Sequence, residues 1–367
     1  MKMKNYFIGL LISLLSVIFL LPASTLQAQQ AEDQPATSEE IDEHFLNLRH
    51  RLDQLDKAVD DIMWHKRVGD VAYIDKVFLT GPPRVNEPNP NAHGAGNPFR
   101  FWTYIFVPND IDPAEEYPLL VFPHGGVHGD FNTYYTHIIR EMIAQQYIVV
   151  APEYRGSTGY GRGTFEAIDY GGVENQDVYA AKEFMLENYE IVDSRNVGII
   201  GWSHGGMISL MNIFEYPDEY KVAYAGVPVS DLVARMGYKR HEYETYFSAD
   251  YHIGEQVNEN MEEYRRRSPV YHAEKLETPL LIHTNTNDAD VRSYEVENLI
   301  NRLKALDKDF EYEIFQDIPG GHSFDRMDTR HARETRLDIY NFIGQYLNPP
   351  RQFNSVRELE KAAYRFN

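Results

Sequence analysis

Apolar residues recur at a regular interval in one segment near the N terminus. Their separations alternate between four and three residues, and the positions are Ile41, Phe45, Leu48, Leu52, Leu55, Val59 and Ile62. This spacing predicts a helix with a single apolar stripe. Three heptads are about the minimum for a coiled coil, so the stripe could pair with a second helix in a dimer. We instead expect the helix to lie on the main domain.

Seven short apolar runs farther along the chain predict β-strands. The runs are 101–107, 119–123, 148–152, 197–201, 222–227, 279–283 and 310–315. Several are almost wholly apolar, as expected of strands that are buried on both faces of a parallel sheet. In the last run Glu311 and Glu313 alternate with apolar residues, which predicts a position nearer the sheet edge.

Helical patterns lie between these runs. The clearest places five apolar residues on one face: Val296, Leu299, Ile300, Leu303 and Leu306. Residues 81–99 are rich in Pro, Gly and Asn, which predicts a loop. Alternation of strands and helices predicts an α/β fold with a doubly wound, mostly parallel sheet. Because such sheets bind ligands at the carboxyl ends of their strands, functional residues are expected there.

The first 28 residues have the pattern of a secretory signal peptide. Lys2 and Lys4 precede an apolar stretch over residues 6–21, and cleavage is predicted after Ala28. The stretch has 16 residues, fewer than the roughly 20 that a membrane span needs, so cleavage is favoured over an uncleaved anchor. We therefore predict export to the periplasm or the exterior, without stable membrane insertion after signal removal. The chain then divides into signal peptide (1–28), leader with amphipathic helix and loop (29–100), α/β domain (101–350) and C-terminal tail (351–367).

Composition narrows the function classes. The 367 residues include 35 Lys and Arg, 56 Asp and Glu and no Cys, which gives a formal net charge of −21. An acidic protein repels phosphate backbones, so nucleic acid is not an expected partner. The lack of Cys excludes disulfides, a thiol nucleophile and thiolate metal sites.

A nucleophile motif stands at the end of the predicted strand 197–201. Residues 201–205 read Gly-Trp-Ser-His-Gly, which matches the Gly-x-Ser-x-Gly pattern of a tight strand-to-helix turn. Such a turn exposes the Ser203 hydroxyl and points the amide of His204 at a developing oxyanion. The motif therefore predicts Ser203 as a nucleophile.

A serine nucleophile needs a base and an acid, which follow it along the chain in this architecture. His322 lies in a glycine-rich loop after the last predicted strand, and both Asp288 and Asp290 follow the strand before it. The predicted roles are Ser203 as nucleophile, His322 as general base and then acid, and Asp288 as the group that orients the imidazole. By position alone Asp290 qualifies as well.

The second oxyanion donor is predicted after the strand 119–123. Residues 124–126 read His-Gly-Gly, and an amide of Gly125 or Gly126 can face the oxyanion. His124 and His128 could also bind a metal ion, but the sequence offers no further ligands that would complete such a site. Neither a metal nor a cofactor is predicted.

Two blocks of sequence resemble the prolyl oligopeptidase family. Residues 201–206 read Gly-Trp-Ser-His-Gly-Gly, and residues 154–161 read Tyr-Arg-Gly-Ser-Thr-Gly-Tyr-Gly. The resemblance covers roughly residues 101–347 and is nearest to acylaminoacyl-peptidase and dipeptidyl-peptidase catalytic domains. It implies an α/β-hydrolase fold and serine peptidase chemistry. It also implies Asp288 as the catalytic acid, because the family's Asp precedes a Val by three positions, here Val291.

The sequence departs from that family in three places. Only about 70 residues separate the predicted signal peptide from the hydrolase domain, too few for the β-propeller that the family normally carries. His124 stands where several members have an oxyanion-binding Tyr, which favours a backbone amide of Gly125 or Gly126 as the donor. The aspartate loop begins His-Thr-Asn and not His-Gly.

The resemblance also implies a substrate pocket. Its predicted contacts are His124, Trp202, Val229, Leu232 and Arg235. Arg235 could pair with an acidic substrate group, but we favour a surface helix residue paired with a nearby Asp or Glu. Several Tyr residues within 238–265 could equally line a cleft or cover the sheet.

These residues lead to a favoured function and two alternatives. The favoured function is an exported serine hydrolase that cleaves peptides or acylated amino acids through an acyl-enzyme. A carboxylesterase acting on small or carbohydrate esters could use the same groups, because an ester needs less protonation of its leaving group. A hydrolase fold that serves as a non-catalytic binding module is the third hypothesis. The expected partner is a small peptide or ester substrate, and a homo-oligomer stays open.

Overall fold

Eight strands form a single sheet in this protein, whose computed structural model describes residues 37–363. The predicted signal peptide lies outside the described residues. The strands are β1 (Ala72–Pro83), β2 (Pro98–Pro108), β3 (Tyr117–Val121), β4 (Ile148–Pro152), β5 (Val192–Trp202), β6 (Val222–Gly226), β7 (Leu280–Asn285) and β8 (Glu311–Phe315). The helices are α1 (Ser38–Val68), α2 (Thr136–Ala144), α3 (Arg162–Phe165), α4 (Glu174–Asn188), α5 (His204–Glu215), α6 (Leu232–Tyr238), α7 (His241–Phe247), α8 (Met261–Arg266), α9 (Ser293–Ala305), α10 (Arg330–Leu347) and α11 (Val356–Ala362). Contacts divide the chain into two units, one up to Arg49 and the other from His50 onward.

The strand order is β1-β2-β4-β3-β5-β6-β7-β8. The first two pairings, β1 with β2 and β2 with β4, are antiparallel, and all later pairings are parallel. The predicted doubly wound, mostly parallel sheet is confirmed, and β8 lies at the edge as its two glutamates indicated. The carboxyl ends of β5, β7 and β8 consequently share one edge of the sheet.

Burial on both faces explains the apolar runs. Every residue of β3, β4, β6 and β7 is buried. Alternate residues of one strand belong to different cores. Leu119 and Val121 belong to the core that includes side chains of α4, α5 and α9, while Leu120 belongs to the core that includes side chains of α2 and α10. This period of two is what a strand between two helical layers requires.

Three features differ from the sequence reading. Residues 72–83 form β1, which the sequence did not predict, and the loop that was expected over 81–99 is shorter, because β2 already begins at Pro98. The C-terminal tail contains the helix α11. Within residues 37–363 no helix combines the length and apolar character needed to cross a membrane.

The helix α1 forms as predicted, but its apolar stripe does not pack on the domain. In the unit that begins at His50, the stripe residues Leu52, Leu55, Val59 and Ile62 are between 53% and 69% exposed. The buried side chains belong to other positions of α1, and within the unit that begins at His50 they include Lys57 and Trp64. Trp64 stacks on Phe131 with 5.5 Å between ring centroids, and Lys57 Nζ lies 2.8 Å from Glu153 Oε1. The helix therefore does lie on the domain, as favoured, but an indole and a buried, paired ammonium make the contact, and neither belongs to the apolar repeat.

Candidate active site

Ser203 lies in the strained turn that the motif predicts. β5 ends at Trp202, α5 begins at His204, and Ser203 between them has φ 59° and ψ −121°. A positive φ is uncommon for a residue with a side chain and stores strain. Glycine is required beside it, since a Cβ on Gly205 would lie 2.2 Å from the carbonyl oxygen of Pro123. The turn thus sets the serine at the carboxyl edge of the sheet.

An aspartate and a histidine form a hydrogen-bonded pair at the same edge. Asp288 follows β7 and His322 follows β8, and His322 Nδ1 lies 2.7 Å from Asp288 Oδ2. The other carboxylate oxygen of Asp288 accepts the backbone N–H groups of Asp290 and Val291, at 2.8 and 3.0 Å. These three bonds hold the buried carboxylate in one orientation toward the imidazole.

The second aspartate of this loop has a different environment. The Asp290 side chain is 54% exposed and lies 2.8 Å from Lys239 Nζ and 3.8 Å from His322 Nε2. Burial alone would raise its pKa, but the hydrogen bond from Lys239 and the charge of His322 lower it. The geometry therefore favours Asp288, and not Asp290, as the partner of Nδ1.

Two side chains that the sequence reasoning missed brace the histidine loop. Asn285, at the end of β7, donates to the carbonyl oxygens of Ile318 and Gly321 at 2.8 and 3.2 Å. Arg326 donates to the carbonyl oxygen of His322. The signal for Asn285 was the departure to His-Thr-Asn in the aspartate loop, whereas nothing in the sequence marked Arg326.

Within residues 37–363 no hydrogen bond joins the Ser203 hydroxyl to His322. Parallel strands bring the two residues to one edge, and Ser203 keeps 8% of its surface exposed. Bonds of this kind are often long in free enzymes and tighten in the substrate complex. The structure therefore brings Asp288 and His322 together and places Ser203 on their side of the sheet.

Backbone amides lie beside the serine. A Cβ on Gly125 would be 3.5 Å from Ser203 Cβ, which places this glycine directly against the turn. Its N–H donates to the Tyr135 hydroxyl over a long 3.4 Å. The amide of His204 is the first of α5, where N–H groups have no partner inside the helix. Gly126 adopts a φ of 81°, a conformation suited to glycine that turns the chain away after Gly125.

Two residues predicted to contact substrate are buried beneath the site. His124 is fully buried, with Nε2 2.9 Å from the Ser157 hydroxyl, and burial lowers its pKa so that the ring is neutral. Trp202 donates from its indole nitrogen to Asp325 at 2.6 Å. Their burial does not support the predicted contact with substrate. Across the described residues no group of His, Asp or Glu is arranged to hold a metal ion.

The remaining predicted pocket residues lie after β6. The backbone N–H of Val229 donates to the carbonyl oxygen of Ser203 at 3.2 Å, so Val229 adjoins the turn. Leu232, in the first turn of α6, is fully buried in the core. Val229 therefore lies next to the serine, and Leu232 supports the segment from below.

Arg235 is not a surface residue as the sequence reading favoured, because its side chain is 4% exposed. It does pair with an acid: Nη1 lies 3.4 Å from Glu295 Oε2, and Nε donates to the Tyr243 hydroxyl at 2.9 Å. Glu295 is fully buried and also accepts the backbone N–H of Ser230 at 2.8 Å. The guanidinium is thus already neutralised inside the protein.

Aromatic rings pack around His128, two residues after the His-Gly-Gly turn. His128 stacks on Phe165 with 3.6 Å between ring centroids, and Tyr246 meets His128 edge-on at 5.5 Å. Tyr246 and Tyr251 are buried only in part, whereas Tyr264 is fully buried in the core. Part of the tyrosine-rich segment therefore fills the core, and another part packs against His128; lining of a cleft stays a prediction.

A sequence profile described as the prolyl oligopeptidase family matches residues 133–350, more than half of the chain. The chain belongs to the prolyl oligopeptidase family. This is a family of serine-type peptidases, and the predicted family and the predicted α/β-hydrolase fold are both confirmed.

Curated relatives of this family member include bacterial and mammalian proteins. The uncharacterized peptidase YuxL of Bacillus subtilis (strain 168) is 28% identical over 67% of this chain and 36% of its own length. The acylamino-acid-releasing enzyme of Mus musculus is 29% identical over 56% of this chain and 29% of its own length. The chain therefore spans about a third of the length of these relatives.

Solved structures of the family show the same fold. An acylaminoacyl peptidase in complex with Z-Gly-Gly-Phe-chloromethyl ketone has a TM-score of 0.62 at 20% identity, over 78% of this chain and 44% of that chain. A Mycobacterium tuberculosis puromycin-hydrolyzing peptidase has a TM-score of 0.58 at 26% identity, over 69% of this chain and 38% of that chain.

Proposed function

We propose that this protein is an exported serine peptidase that releases acylated amino acids or cleaves short peptides through an acyl-enzyme at Ser203. The observation that carries the proposal is the 2.7 Å bond between His322 Nδ1 and the buried Asp288, at the sheet edge that also holds Ser203. A binding module would have no need of a fixed carboxylate–imidazole pair beside a strained serine.

The geometry supports the following steps. Ser203 Oγ attacks the scissile carbonyl carbon while its proton passes to His322 Nε2, and Asp288 stabilises the imidazolium that forms. The carbonyl oxygen, now negative, faces the amides of His204 and Gly126, because the N–H of Gly125 already donates to the Tyr135 hydroxyl. His322 then gives the proton to the leaving amine as the C–N bond breaks. A water molecule, deprotonated by His322, hydrolyses the ester and restores Ser203.

The substrate class rests on the relatives and on the aromatic rings. The relatives' names include acylamino-acid-releasing enzyme and acylaminoacyl peptidase. Phe165 and Tyr246 contact the ring of His128, two residues after Gly126, and Tyr251 contacts Phe165. This partly exposed aromatic surface suits an apolar or aromatic substrate side chain. Because Glu295 neutralises Arg235, an acidic substrate side chain gains no free partner there.

A paired assay tests the proposal. N-acyl-aminoacyl anilides, free aminoacyl anilides and short-chain nitrophenyl esters are compared, with Ser203→Ala as the blank. We expect turnover of the acylated anilides, highest for Phe or Leu, and its loss in Ser203→Ala. Turnover of the esters alone would refute the peptidase proposal and support the carboxylesterase. Folded protein that turns over neither class and is not labelled by a fluorophosphonate would refute both.

Export is the second part of the proposal and has its own test. The pattern of residues 1–28 supports it. When the complete chain is expressed in a bacterium with a periplasm, we expect the product in the periplasmic or culture fraction, beginning at Gln29 by mass spectrometry. Protein that stays in the cytoplasm with residues 1–28 intact would overturn this part and leave the peptidase proposal unaffected.

A further inference from the structure

One apolar surface of the molecule is left without a partner. We name as the α1 seam the side chains of Ile41, Phe45, Leu48, Leu52, Leu55, Val59 and Ile62, each of them 43–69% exposed. They follow one another along a single helix for about 32 Å, at 1.5 Å per residue. A continuous exposed row of large apolar side chains marks an interaction surface, unlike apolar residues that are scattered singly.

The heptad positions show that the side chains of α1 that contact the domain lie on the side of the helix opposite the seam. The alternating spacing assigns Phe45, Leu52 and Val59 to a positions and the other four to d positions. Lys57 and Trp64 then fall at f, the position farthest from the seam, and both are buried. Attachment of α1 to its own domain therefore leaves the seam open to a second helix.

The positions that flank the seam indicate what covers it. Arg51 is a g position and Asp56 is the e position five residues later, which is the pair that meets across a parallel two-stranded coiled coil. Within the described residues neither side chain forms an ion pair in its own chain, and both are exposed. The next such pair, Ala58 with Met63, adds apolar contact. A second copy of the helix thus offers matching charge as well as matching shape.

We propose that the α1 seam joins two copies of this chain in a parallel, two-stranded coiled coil. In the parallel register each of the seven apolar residues faces its own copy. The antiparallel register with the best overlap would instead set Ile41 opposite Lys66. The interface is isologous, so every Arg51–Asp56 pair occurs twice. The inference does not depend on the peptidase activity.

Sedimentation equilibrium of the purified protein tests self-association. We expect the mass of two chains for the wild type, and a monomer or a dissociation constant raised at least about 100-fold for Leu52→Glu with Leu55→Glu, because four leucines lose their burial. Asn47→Glu, on the same helix and outside the seam, is the matched control and should remain dimeric. Circular dichroism confirms that both variants are folded. A monomeric wild type, or seam variants as dimeric as the control, would overturn the proposal.

Charge reversal identifies the partner. Arg51→Glu and Asp56→Arg should each raise the dissociation constant about tenfold, since each converts two attractive pairs into two repulsive ones. The two changes combined should restore it. Rescue of Asp56→Arg by Arg49→Glu instead of Arg51→Glu would refute the parallel register, because the antiparallel one pairs Arg49 with Asp56. If the protein bound lipid vesicles and did not dimerise, the proposal would be overturned, and a membrane would be the partner of the seam.

Discussion

Replacing Asp288 by Asn, with Asp290→Asn as the matched control, distinguishes the two aspartates of one loop. One Asp288 oxygen accepts the N–H groups of Asp290 and Val291, and the other faces His322 Nδ1 at 2.7 Å. In Asp288→Asn the carbonyl oxygen keeps the two backbone bonds, so the NH₂ group faces Nδ1. Nδ1 must then act as an acceptor, the ring proton moves to Nε2, and the ring can no longer take a proton from Ser203.

The expected loss for Asp288→Asn is about 10⁴-fold in kcat, the size seen when a buried triad carboxylate becomes an amide. It corresponds to about 5 kcal/mol of transition-state stabilisation. The substitution preserves shape and two hydrogen bonds, so the free energy of unfolding should fall by only about 1–3 kcal/mol. Asp290→Asn removes a half-exposed pair with Lys239, which is worth less than about 1 kcal/mol, and should leave kcat within about fivefold of the wild type.

The assay is steady-state hydrolysis of the best N-acyl-aminoacyl anilide, with thermal unfolding of each variant as the control for folding. Both kcat and KM are measured, because a wrong tautomer lowers kcat and leaves ground-state binding unchanged. A loss in Asp290→Asn greater than that in Asp288→Asn would refute the assignment. So would an Asp288→Asn enzyme that keeps a tenth or more of wild-type kcat.

Three further predictions concern the serine turn and its surroundings. Gly205→Ala should lower the free energy of unfolding by at least about 3 kcal/mol, because the added Cβ would lie 2.2 Å from a carbonyl oxygen in a tightly packed core. Chemical denaturation measures this change, and an unchanged midpoint would contradict the prediction. Tyr135→Phe should lower the free energy of unfolding by about 1 kcal/mol, because the N–H of Gly125 loses the hydroxyl that accepts it; an unchanged free energy of unfolding in chemical denaturation would contradict this. Burial, followed by the nearby charge of Asp169, raises the pKa of Glu174 to about 8. The folded pKa lies above the unfolded value, so between about pH 4.5 and 8 the folded state holds the extra proton and stability falls as pH rises; Glu174→Gln should abolish that slope in unfolding measured across this range, and an identical slope in both proteins would refute it.

The sequence predicted the parallel part of the sheet well, because strands buried on both faces have to be apolar throughout. It missed β1, at the opposite edge, whose residues are mixed in polarity and of which half are partly buried. A strand there is defined by its pairing with β2 over the whole length of both strands. That long-range contact leaves little local pattern in residues 72–83.

The sequence predicted some residues of the site and not others. Ser203, Asp288 and His322 could be proposed because each stands at a strand end in the required order. Arg235 could not be placed, since its burial depends on Glu295, which lies 60 residues away on α9. The direction of the α1 stripe was likewise undetermined, because periodicity shows that a face exists and does not show which neighbour covers it.

The buried ammonium group of Lys57 determines how the protein responds to proteolytic removal of α1. Burial alone would lower its pKa, but Glu153 and Asp130 more than compensate and raise it, so the group stays charged. Its partner Glu153 lies 3.5 Å from the ring of His124, in the loop that carries Gly125. Proteolysis at the end of α1, followed by release of the helix, would remove the cation and leave the buried Glu153 carboxylate without its counter-ion next to His124. We therefore expect a protein trimmed to its sheet domain to lose activity along with its N-terminal helix, because Lys57 of α1 supplies the counter-ion of Glu153.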